Sequence, residues 1–461
     1  MLKLSKMTFG IVVSNILIGC ANIDDSYHAT LQDFQQYEAL TQQYNIQENW
    51  WTQYNDEPLN QLVKQALENN KDLAKATIAV NTALYNANLV AADLVPNFTR
   101  QTGVNSSAAK NINTGSNSKI THGGSLNISY TLDLWQRLAD KTSAAKWTHS
   151  ATQQDLQATK LSLINSVVTT YYQLAYLNDA IAVTNQTINY YSKISRIMQN
   201  KFNQGMADRA STDQSQQSIL KARNNLINYQ TQKKRAETTL RNLLNLKPNE
   251  DLNIKTPHIL EVKSAEVNLD IPLSTIANRP DIKGSLYRLN SAFKNAKAMQ
   301  KSWFPSITLG AGLSSSGNKI DNAFNIPIAT GTVGINLPFL NWNTVKWNVK
   351  ISEAAYENAK LSFEQNITKA LNEIDNLYFS YTQAKENVAN LQETYRYNKR
   401  ITQYYKNRYD AGIAELIEWL NAANIENTSQ LAILNAKYSL IQSQNAIYSA
   451  MGGYYSTNSS R

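Results

Sequence analysis

Hydrophobic and polar residues alternate in four short segments, at about residues 96–105, 124–135, 305–314 and 331–340. Alternation with a period of two predicts β-strands that have one apolar and one polar face. The second segment is the clearest, with apolar residues at every other position: Leu126, Ile128, Tyr130, Leu132 and Leu134. The first segment is the weakest, because Arg100 falls in line with Phe98 and Val104.

The stretches between the paired segments, 105–121 and 314–325, are rich in Ser, Asn and Gly and are therefore predicted to be exposed hairpin tips. An apolar face about ten residues long matches a strand that crosses a bilayer. A sheet half-buried on a globular core is the other interpretation, but the flanking helices are too long to fold back as its cover. We therefore predict transmembrane strands.

Four strands cannot close a barrel, and an open strand edge in hydrocarbon leaves backbone groups without hydrogen-bond partners. Other copies of the chain must supply the remaining strands. Two chains would give eight strands with an interior filled by side chains, whereas three would give twelve and leave room for water. Because the polar face is rich in Ser, Thr, Asn and Gly, we predict a twelve-strand barrel, a homotrimer and cyclic symmetry.

Two very long helices are predicted at about 137–203 and 344–410, where the pattern is helical and contains neither Pro nor Gly. Each could extend for roughly 90 to 100 Å. The first carries two adjacent apolar seams, which are Leu163, Val167, Leu174, Leu177, Ile181 and Ile188 in one and Ile164, Val168, Tyr171 and Ala175 in the other. Two seams would let the helix pack on neighbours at both sides, as in a cylinder of helices. Alternatively, the second seam widens the core stripe of a bundle.

The two halves of the chain resemble each other. The segment Leu94-Val95-Pro96-Asn97-Phe98 recurs as Trp303-Phe304-Pro305-Ser306-Ile307 at an offset of 209, and Tyr171 recurs as Tyr378 at an offset of 207. So small a drift indicates an internal duplication. We place the first repeat at 20–272, which includes long helices at about 137–246 and an equatorial linker, and the second at 273–461, with long helices at about 344–452.

The N-terminus has the features of a signal peptide, predicted at 1–19. Lys3 and Lys6 precede a mostly apolar stretch, 7–18, and the only cysteine of the chain, Cys20, follows. Its position resembles the acylated cysteine of bacterial lipoproteins, and the absence of Asp at the next position points to the outer membrane; a chance cysteine is the alternative. Removal of both lysines lowers the net charge of the mature chain from +9 to +7. Elsewhere no run of 18 apolar residues predicts a transmembrane helix.

Composition excludes several other classes. One Cys and four scattered His give no compact metal site, and we predict no metal and no cofactor. Lys and Arg are spread along the chain, which disfavours a nucleic-acid partner. The sequence contains neither a phosphate-binding glycine loop nor a nucleophile elbow, so we predict no enzyme. A lipoprotein scaffold of long coiled coils without a pore remains an alternative, although it would have no use for the amphipathic strands.

Several motifs together resemble the TolC-like outer-membrane efflux proteins, most closely the lipid-anchored OprM-type branch that serves RND pumps. The resemblance covers nearly the whole mature chain. It is carried by Trp50-Trp51, Asp56-Glu57-Pro58-Leu59, Asn70-Lys71-Asp72-Leu73, Leu132-Asp133-Leu134-Trp135-Gln136-Arg137-Leu138, Asn278-Arg279-Pro280-Asp281-Ile282, Asn336-Leu337-Pro338-Phe339 and Met451-Gly452-Gly453. One departure is Gln136, where relatives often have Gly, which implies a different corner between strand and helix.

The resemblance implies a mainly α-helical chain with transmembrane β-strands: a trimeric barrel of twelve strands, four per chain, continuous with a long periplasmic α-helical barrel. It further implies a lipid-anchored channel in the outer membrane that works with a periplasmic adaptor and an inner-membrane pump. The expected function is export of drugs, toxic compounds or metal ions. An outer-membrane duct for type I protein secretion is the alternative, since the same architecture serves it.

Gly205 and Gly412 occupy equivalent places where two long helices must reverse, and a left-handed backbone there favours glycine. These residues could simply end the helices. The resemblance implies that the tips, which include Met206 and Ile413, dock the adaptor protein.

A gate is predicted just beyond these turns. Glu415 and Glu418 are three residues apart, near one face of a helix, and threefold symmetry would turn each into a ring. Asp208 and Asp213 follow the first turn. By resemblance to the family's constriction motif, Glu418 and Asn421 fall where acidic gate residues stand, and Ile417 falls at an apolar constriction. The neutral Asn421 is a departure, and acids that stabilise a helix N-terminus are the alternative interpretation.

Overall fold

The computed structural model describes residues 5–111, 115–252, 254–263, 266–323, 325 and 327–457. Its α-helices are α1 (Ser5–Thr41), α2 (Glu57–Asn69), α3 (Lys71–Ala91), α4 (Arg137–Asn203), α5 (Arg209–Leu244), α6 (Pro280–Gln300), α7 (Trp342–Asp410) and α8 (Leu416–Met451). Its strands are β1 (Tyr44–Gln47), β2 (Asn97–Asn111), β3 (Gly115–Leu132), β4 (Ser306–Gly317), β5 (Ile328–Asn336) and β6 (Tyr454–Thr457).

The two halves contain matching elements in the same order. Helices α3 and α6 both have 21 residues, α4 and α7 have 67 and 69, and α5 and α8 both have 36. The long helices thus lie where the absence of Pro and Gly predicts them. None of the described helices combines the length and apolar character needed to cross a membrane.

Strands β2, β3, β4 and β5 form one antiparallel sheet in that order. The first hairpin is longer than the alternation predicts, since β2 continues to Asn111 and β3 begins at Gly115. Most of the predicted tip 105–121 is therefore paired backbone, which corrects that prediction. Ser, Asn and Gly are compatible with both a loop and a polar strand, and the sequence pattern did not distinguish the two.

The strand register places apolar residues side by side on one face of the sheet. Residues opposite each other across antiparallel strands share a face. The apolar rows are Leu132–Ile307–Ile335, Tyr130–Leu309–Val333 and Phe98–Ile128–Ala311–Gly331. The intervening rows, on the other face, are Thr131–Thr308–Gly334, Asn97–Ser129–Gly310–Thr332 and Thr99–Asn127–Gly312–Thr330. One face is thus apolar and the other polar, as the alternation predicts.

Glycine on the polar face makes room for neighbouring polar side chains. A Cβ atom at Gly310 would lie 2.4 Å from the Thr332 hydroxyl oxygen, and one at Gly312 would lie 2.7 Å from the Asn127 side-chain oxygen. Any larger residue at either position would therefore displace these side chains. The Thr131 and Thr308 hydroxyls lie 3.1 Å apart and form a hydrogen bond across the same face.

A short corner joins β3 to α4. The Asp133 carboxylate accepts hydrogen bonds from the backbone N–H groups of Leu138 (2.9 Å) and Ala139 (2.8 Å), which begin the helix. Gln136 has a φ of +59°. This is the left-handed conformation that glycine adopts at least cost. Gln136 thus has a backbone conformation that favours glycine, although the residue here is not Gly.

The chain divides into two compact units, each with residues from both repeats: 1–35, 77–155 and 281–366 in one, and 36–76, 156–280 and 367–461 in the other. The first unit contains the four-stranded sheet. The second contains the two-stranded β1–β6 sheet and a large core, in which Trp50, Leu59 and Leu240 are fully buried.

Both apolar seams of α4 contribute to the core of the second unit. Leu163, Val167, Leu174 and Leu177 from one seam lie in the same cluster as Ile164, Val168, Tyr171 and Ala175 from the other. In this stretch a single chain buries both seams, in a cluster that also contains Leu240 of α5 and Ile441 of α8.

Candidate functional site

Both helix reversals end in the same hydrogen-bonded turn, centred on a glycine with φ +73°. At the first, the N–H of Gly205 bonds to the carbonyl of Phe202 (2.9 Å) and that of Met206 to the carbonyl of Lys201 (2.8 Å). At the second, Gly412 and Ile413 bond in the same way to Tyr409 (3.0 Å) and Arg408 (2.9 Å). This is the Schellman arrangement, in which a left-handed residue satisfies the last carbonyls of a helix.

The residue after each glycine is apolar and exposed. Met206 is 70% exposed and Ile413 is 67% exposed. Apart from the adjacent residues of the chain, no atom lies within 4 Å of the position that a Cβ would take on either glycine, so the turns require glycine for its backbone conformation and not for lack of space. The structure thus places Gly205, Met206, Gly412 and Ile413 at equivalent, solvent-facing helix reversals.

A compact core packs the ends of α4, α5 and α8 together behind these turns. We call it the tip cluster; its buried members are Tyr191, Ile194, Met198, Ile219, Ala222, Leu416, Trp419, Leu420 and Ala423. Tyr409 of α7 packs against it, with its ring 5.3 Å from that of Trp419. The Lys201 ammonium donates a hydrogen bond to the Tyr409 hydroxyl (2.8 Å). The four helix ends are therefore fixed by packing within one chain.

The two aspartates of the predicted gate occupy different environments. Asp208 caps α5, because its carboxylate accepts a hydrogen bond from the Ser211 N–H at 2.8 Å. Hydrogen bonds from the Ser211 hydroxyl and backbone N–H hold the pKa of Asp208 below its usual value. Asp213 is exposed and lies 4.0 Å from the Arg209 guanidinium. Both side chains are exposed, and Asp208 has in addition a structural role at the helix start.

Glu418 also supports a helix start. Its carboxylate accepts a hydrogen bond from the backbone N–H of Glu415, which lies at the N-cap of α8, at 3.1 Å. This half of a capping box satisfies a backbone donor that the helix itself leaves unpaired. The alternative interpretation of these acids, stabilisation of the helix N-terminus, thus applies to Glu418, although its side chain is exposed as a gate residue requires.

The first turns of α8 have a buried face and an exposed face. Leu416, Trp419 and Leu420 point into the tip cluster. Glu418 and Asn421 lie together on the exposed side, and Ile417 is half-buried between the two faces. The structure thus brings the predicted gate residues Glu418 and Asn421 to one solvent-facing stripe.

Sequence reasoning missed one member of this stripe. Ile425 is 56% exposed and lies four residues after Asn421 and seven after Glu418, so it continues the same face. The helical spacing from Glu418 was the signal that could have identified it. Ile425 thus extends the exposed stripe formed by Glu418 and Asn421.

Two further sequence-based predictions concern lipidation and metal binding. The side chain of Cys20 lies outside the residues whose side chains are described. Within the described part of the chain, no group of three or more His, Cys, Asp or Glu residues could hold a metal ion.

Comparisons with known proteins agree with this architecture. The family model "Outer membrane efflux protein" matches residues 62–246 and 271–453. "Toxin and drug export protein A" of Aggregatibacter actinomycetemcomitans is 63% identical over 456 residues, covering 99% of each chain. The cation efflux system protein CusC of Escherichia coli K12 is 25% identical over 458 residues, covering 96% of this chain and 98% of CusC.

The solved structure of the outer-membrane channel OprN has the same fold. Its TM-score is 0.81 over 89% of this chain and 94% of that chain, at 21% sequence identity. The family match covers most of the sequence, and the predicted resemblance to TolC-like channels is confirmed. The chain belongs to the outer membrane efflux protein family.

Proposed function

We propose that the chain forms, as a homotrimer, the outer-membrane duct of a tripartite export system. The observation that carries this proposal is the four-stranded sheet with one apolar and one polar face and with β2 and β5 as its edges. Unpaired backbone groups on those edges cannot remain in hydrocarbon. Pairing β2 of each chain with β5 of the next satisfies them, and three copies give twelve strands around a polar interior.

Exposed apolar side chains on the helices support the assembly. Ile351, Leu361 and Phe379 on α7 are each more than half exposed in the single chain, and so are Leu220 and Ile227 on α5. Residues 220 and 227 are seven apart, the spacing of a coiled-coil seam. Neighbouring copies that cover these seams would close the helices into a tunnel in the periplasm.

The helix reversals supply the docking surface for the adaptor. Each chain presents Met206 and Ile413 on hydrogen-bonded turns, so a trimer presents six apolar tips. A periplasmic adaptor protein bound there would connect the duct to an inner-membrane pump of the RND type. Acylation of Cys20 would hold the N-terminus in the outer membrane, in addition to the strands.

The cargo we propose is small toxic compounds, chiefly drugs. The 63% identical relative is named for export of both toxin and drug. That name also favours the second candidate, a type I secretion duct for a protein toxin. Cation export rests on a more distant relative, CusC, at 25% identity. A scaffold without a pore has no place for the amphipathic sheet.

Two measurements test the proposal. The purified protein in mild detergent should have the mass of three chains, and it should give discrete conductance steps in planar bilayers. Deletion of the gene should sensitise cells to detergents and dyes, and the wild-type gene should restore resistance. A monomeric, non-conducting protein contradicts the duct. Restored toxin secretion without restored drug resistance supports the protein-secretion candidate instead.

A further inference from the structure

Arg100 is the one positively charged residue in the described rows of the apolar face, counted from the row of Leu132 to the row of Arg100. It lies on the edge strand β2, in the row Arg100–Leu126–Leu313–Ala329. Its side chain is exposed, and no described carboxylate lies within 4.0 Å of its guanidinium. An arginine among leucines on a lipid-facing surface requires an anionic or polar partner.

The register locates Arg100 near one end of the apolar band. The opposite end is marked by exposed aromatic residues, where the rings of Trp135 and Phe304 stack at 4.7 Å. Such aromatic girdles stand at the interfaces of outer-membrane barrels. From the row of Leu132 to that of Arg100 is six residues of β3, about 20 Å along the strand and about 15 Å along the membrane normal for a strand tilted by about 40°.

The face becomes more polar immediately beyond Arg100. The next row is Thr102–Gly124–Ser315, and the row after it contains His122 between Val104 and Gly317. Measured from the row of Leu132, the Arg100 row lies about 15 Å along the normal, inside an apolar band of about 25 Å and in its outer half. The polar rows beyond Arg100 mark where the apolar side chains end, and the long side chain of an arginine near a membrane interface can reach from there to the lipid headgroups.

The strand of a second copy that would lie beside β2 carries no counter-charge. In the proposed trimer the strand beside β2 is β5 of the next copy, and residues 328–336 contain no Asp or Glu. A lipid phosphate is the remaining anion at this depth, and arginine binds phosphate through two parallel hydrogen bonds.

We propose that Arg100 binds a phosphate group of an outer-leaflet lipid, lipid A in a membrane that contains lipopolysaccharide. The inference rests on the proposed trimeric barrel. Each trimer would hold three such lipids, one beside every junction between β2 and the neighbouring β5. The bound phosphate would neutralise the arginine and cover the chain junction.

The test compares lipid retention by the full-length trimer and two variants. Wild type, Arg100→Gln and Arg100→Lys are reconstituted with bisphosphorylated lipid A or with dephosphorylated lipid A, and retained lipid is measured by native mass spectrometry. We expect Arg100→Gln to retain at least about threefold less bisphosphorylated lipid A, and Arg100→Lys to retain an intermediate amount. Lys75→Gln, which removes one exposed positive charge on α3, should behave as wild type.

Competition with free inorganic phosphate tests whether the site binds a lipid phosphate or phosphate alone. Inorganic phosphate should not displace the lipid, because the acyl chains also contribute to binding. Equal retention by wild type and Arg100→Gln, or no preference of wild type for the phosphorylated lipid, overturns the inference. Failure of wild type to insert as a trimer contradicts the proposed function as well, whereas insertion with equal retention contradicts the lipid site alone.

Discussion

The Glu418 carboxylate accepts a hydrogen bond from the backbone N–H of Glu415, at 3.1 Å. One side chain therefore serves the start of α8 and also stands on the exposed stripe proposed as the gate. A substitution at Glu418 can remove the helix cap, the charge or both, so a variant is needed that removes the charge alone. In a Glu418→Gln variant, the side-chain amide oxygen would still accept the hydrogen bond without carrying the charge.

The gate prediction concerns Glu418 and Asp213. We expect Glu418→Ala combined with Asp213→Ala to raise single-channel conductance and to weaken cation preference, because the variant removes two rings of carboxylates. Glu418→Gln with Asp213→Asn should have the same effect on selectivity while keeping the cap, and Asn421→Ala alone should change little. Planar-bilayer recordings measure both properties, and a double variant that conducts as the parent does would exclude these residues from the gate.

The docking prediction concerns the exposed residue after each glycine. Met206→Trp and Ile413→Trp should block drug export without unfolding the trimer, because both side chains are exposed and outside the tip cluster. The conservative variants Met206→Leu and Ile413→Val are the matched controls and should export normally. Site-specific crosslinking to the adaptor provides the direct readout. Normal export together with unchanged crosslinking in the Trp variants would place docking elsewhere.

The turn prediction concerns Gly205 and Gly412. Replacing either with Ala should destabilise the reversal by about 1–2 kcal/mol, because a Cβ is disfavoured at φ +73° even where space is available. Asn tolerates this conformation better, so Gly205→Asn and Gly412→Asn should cost less than the Ala variants. Unfolding of the trimer in denaturant, followed by helical circular dichroism, measures the order. Equal stability of all variants would mean that the turns relax to another backbone conformation.

A pH prediction follows from His258 and Asp179, whose Nδ1 and Oδ1 atoms lie 2.7 Å apart. The hydrogen bond and the charge of Asp179, with a contribution from Glu261, raise the pKa of His258 above its ordinary 6.5. The protonated form is thus favoured in the folded chain. The added stability is fully present below about pH 6.5 and is lost as the pH rises through the raised pKa.

His258→Gln should remove this pH dependence. The difference in unfolding temperature between wild type and the variant should be greatest near pH 5.5 and should shrink above neutrality. His149→Gln serves as the control, because no described hydrogen bond pairs His149 with a carboxylate. A constant difference across the pH range would show that His258 contributes by packing alone.

The lipidation prediction concerns Cys20. Cys20→Ala should abolish labelling by radioactive palmitate, while the protein remains in the outer-membrane fraction because the strands still insert. Cys20→Ser provides a second variant that lacks the thiol. Palmitate label on either variant would contradict acylation of Cys20. Loss of both variants from the outer membrane would contradict anchoring by the strands.

Elements in which apolar residues recur with a regular period were predictable from the sequence. Features that depend on helix capping were not. The uninterrupted helical pattern predicts α4 and α7 closely, and alternation predicts which face of each strand is apolar. The capping role of Glu418 depends on where α8 begins, which its acidic spacing does not determine. The extension of β2 to Asn111 was missed because polar strands and polar loops share a composition.

The two seams on α4 show a second limit of sequence patterns. Heptad spacing shows which residues are buried, but it does not show whether the partner belongs to the same chain. Val167 and Val168 lie on adjacent seams and are both fully buried in one core. The width of an apolar stripe alone therefore does not determine how many chains pack around the helix.

The corner between β3 and α4 sets the rotational phase of the longest element of the first repeat. Asp133 fixes the first helical N–H groups only a few residues after the last strand residue, Leu132. Inserting one residue at 134–136 would rotate every side chain of α4 by about 100° around the helix axis. The length of this connection is thus as strongly constrained as its chemistry, and single-residue insertions should be far more harmful here than in the connection between β2 and β3.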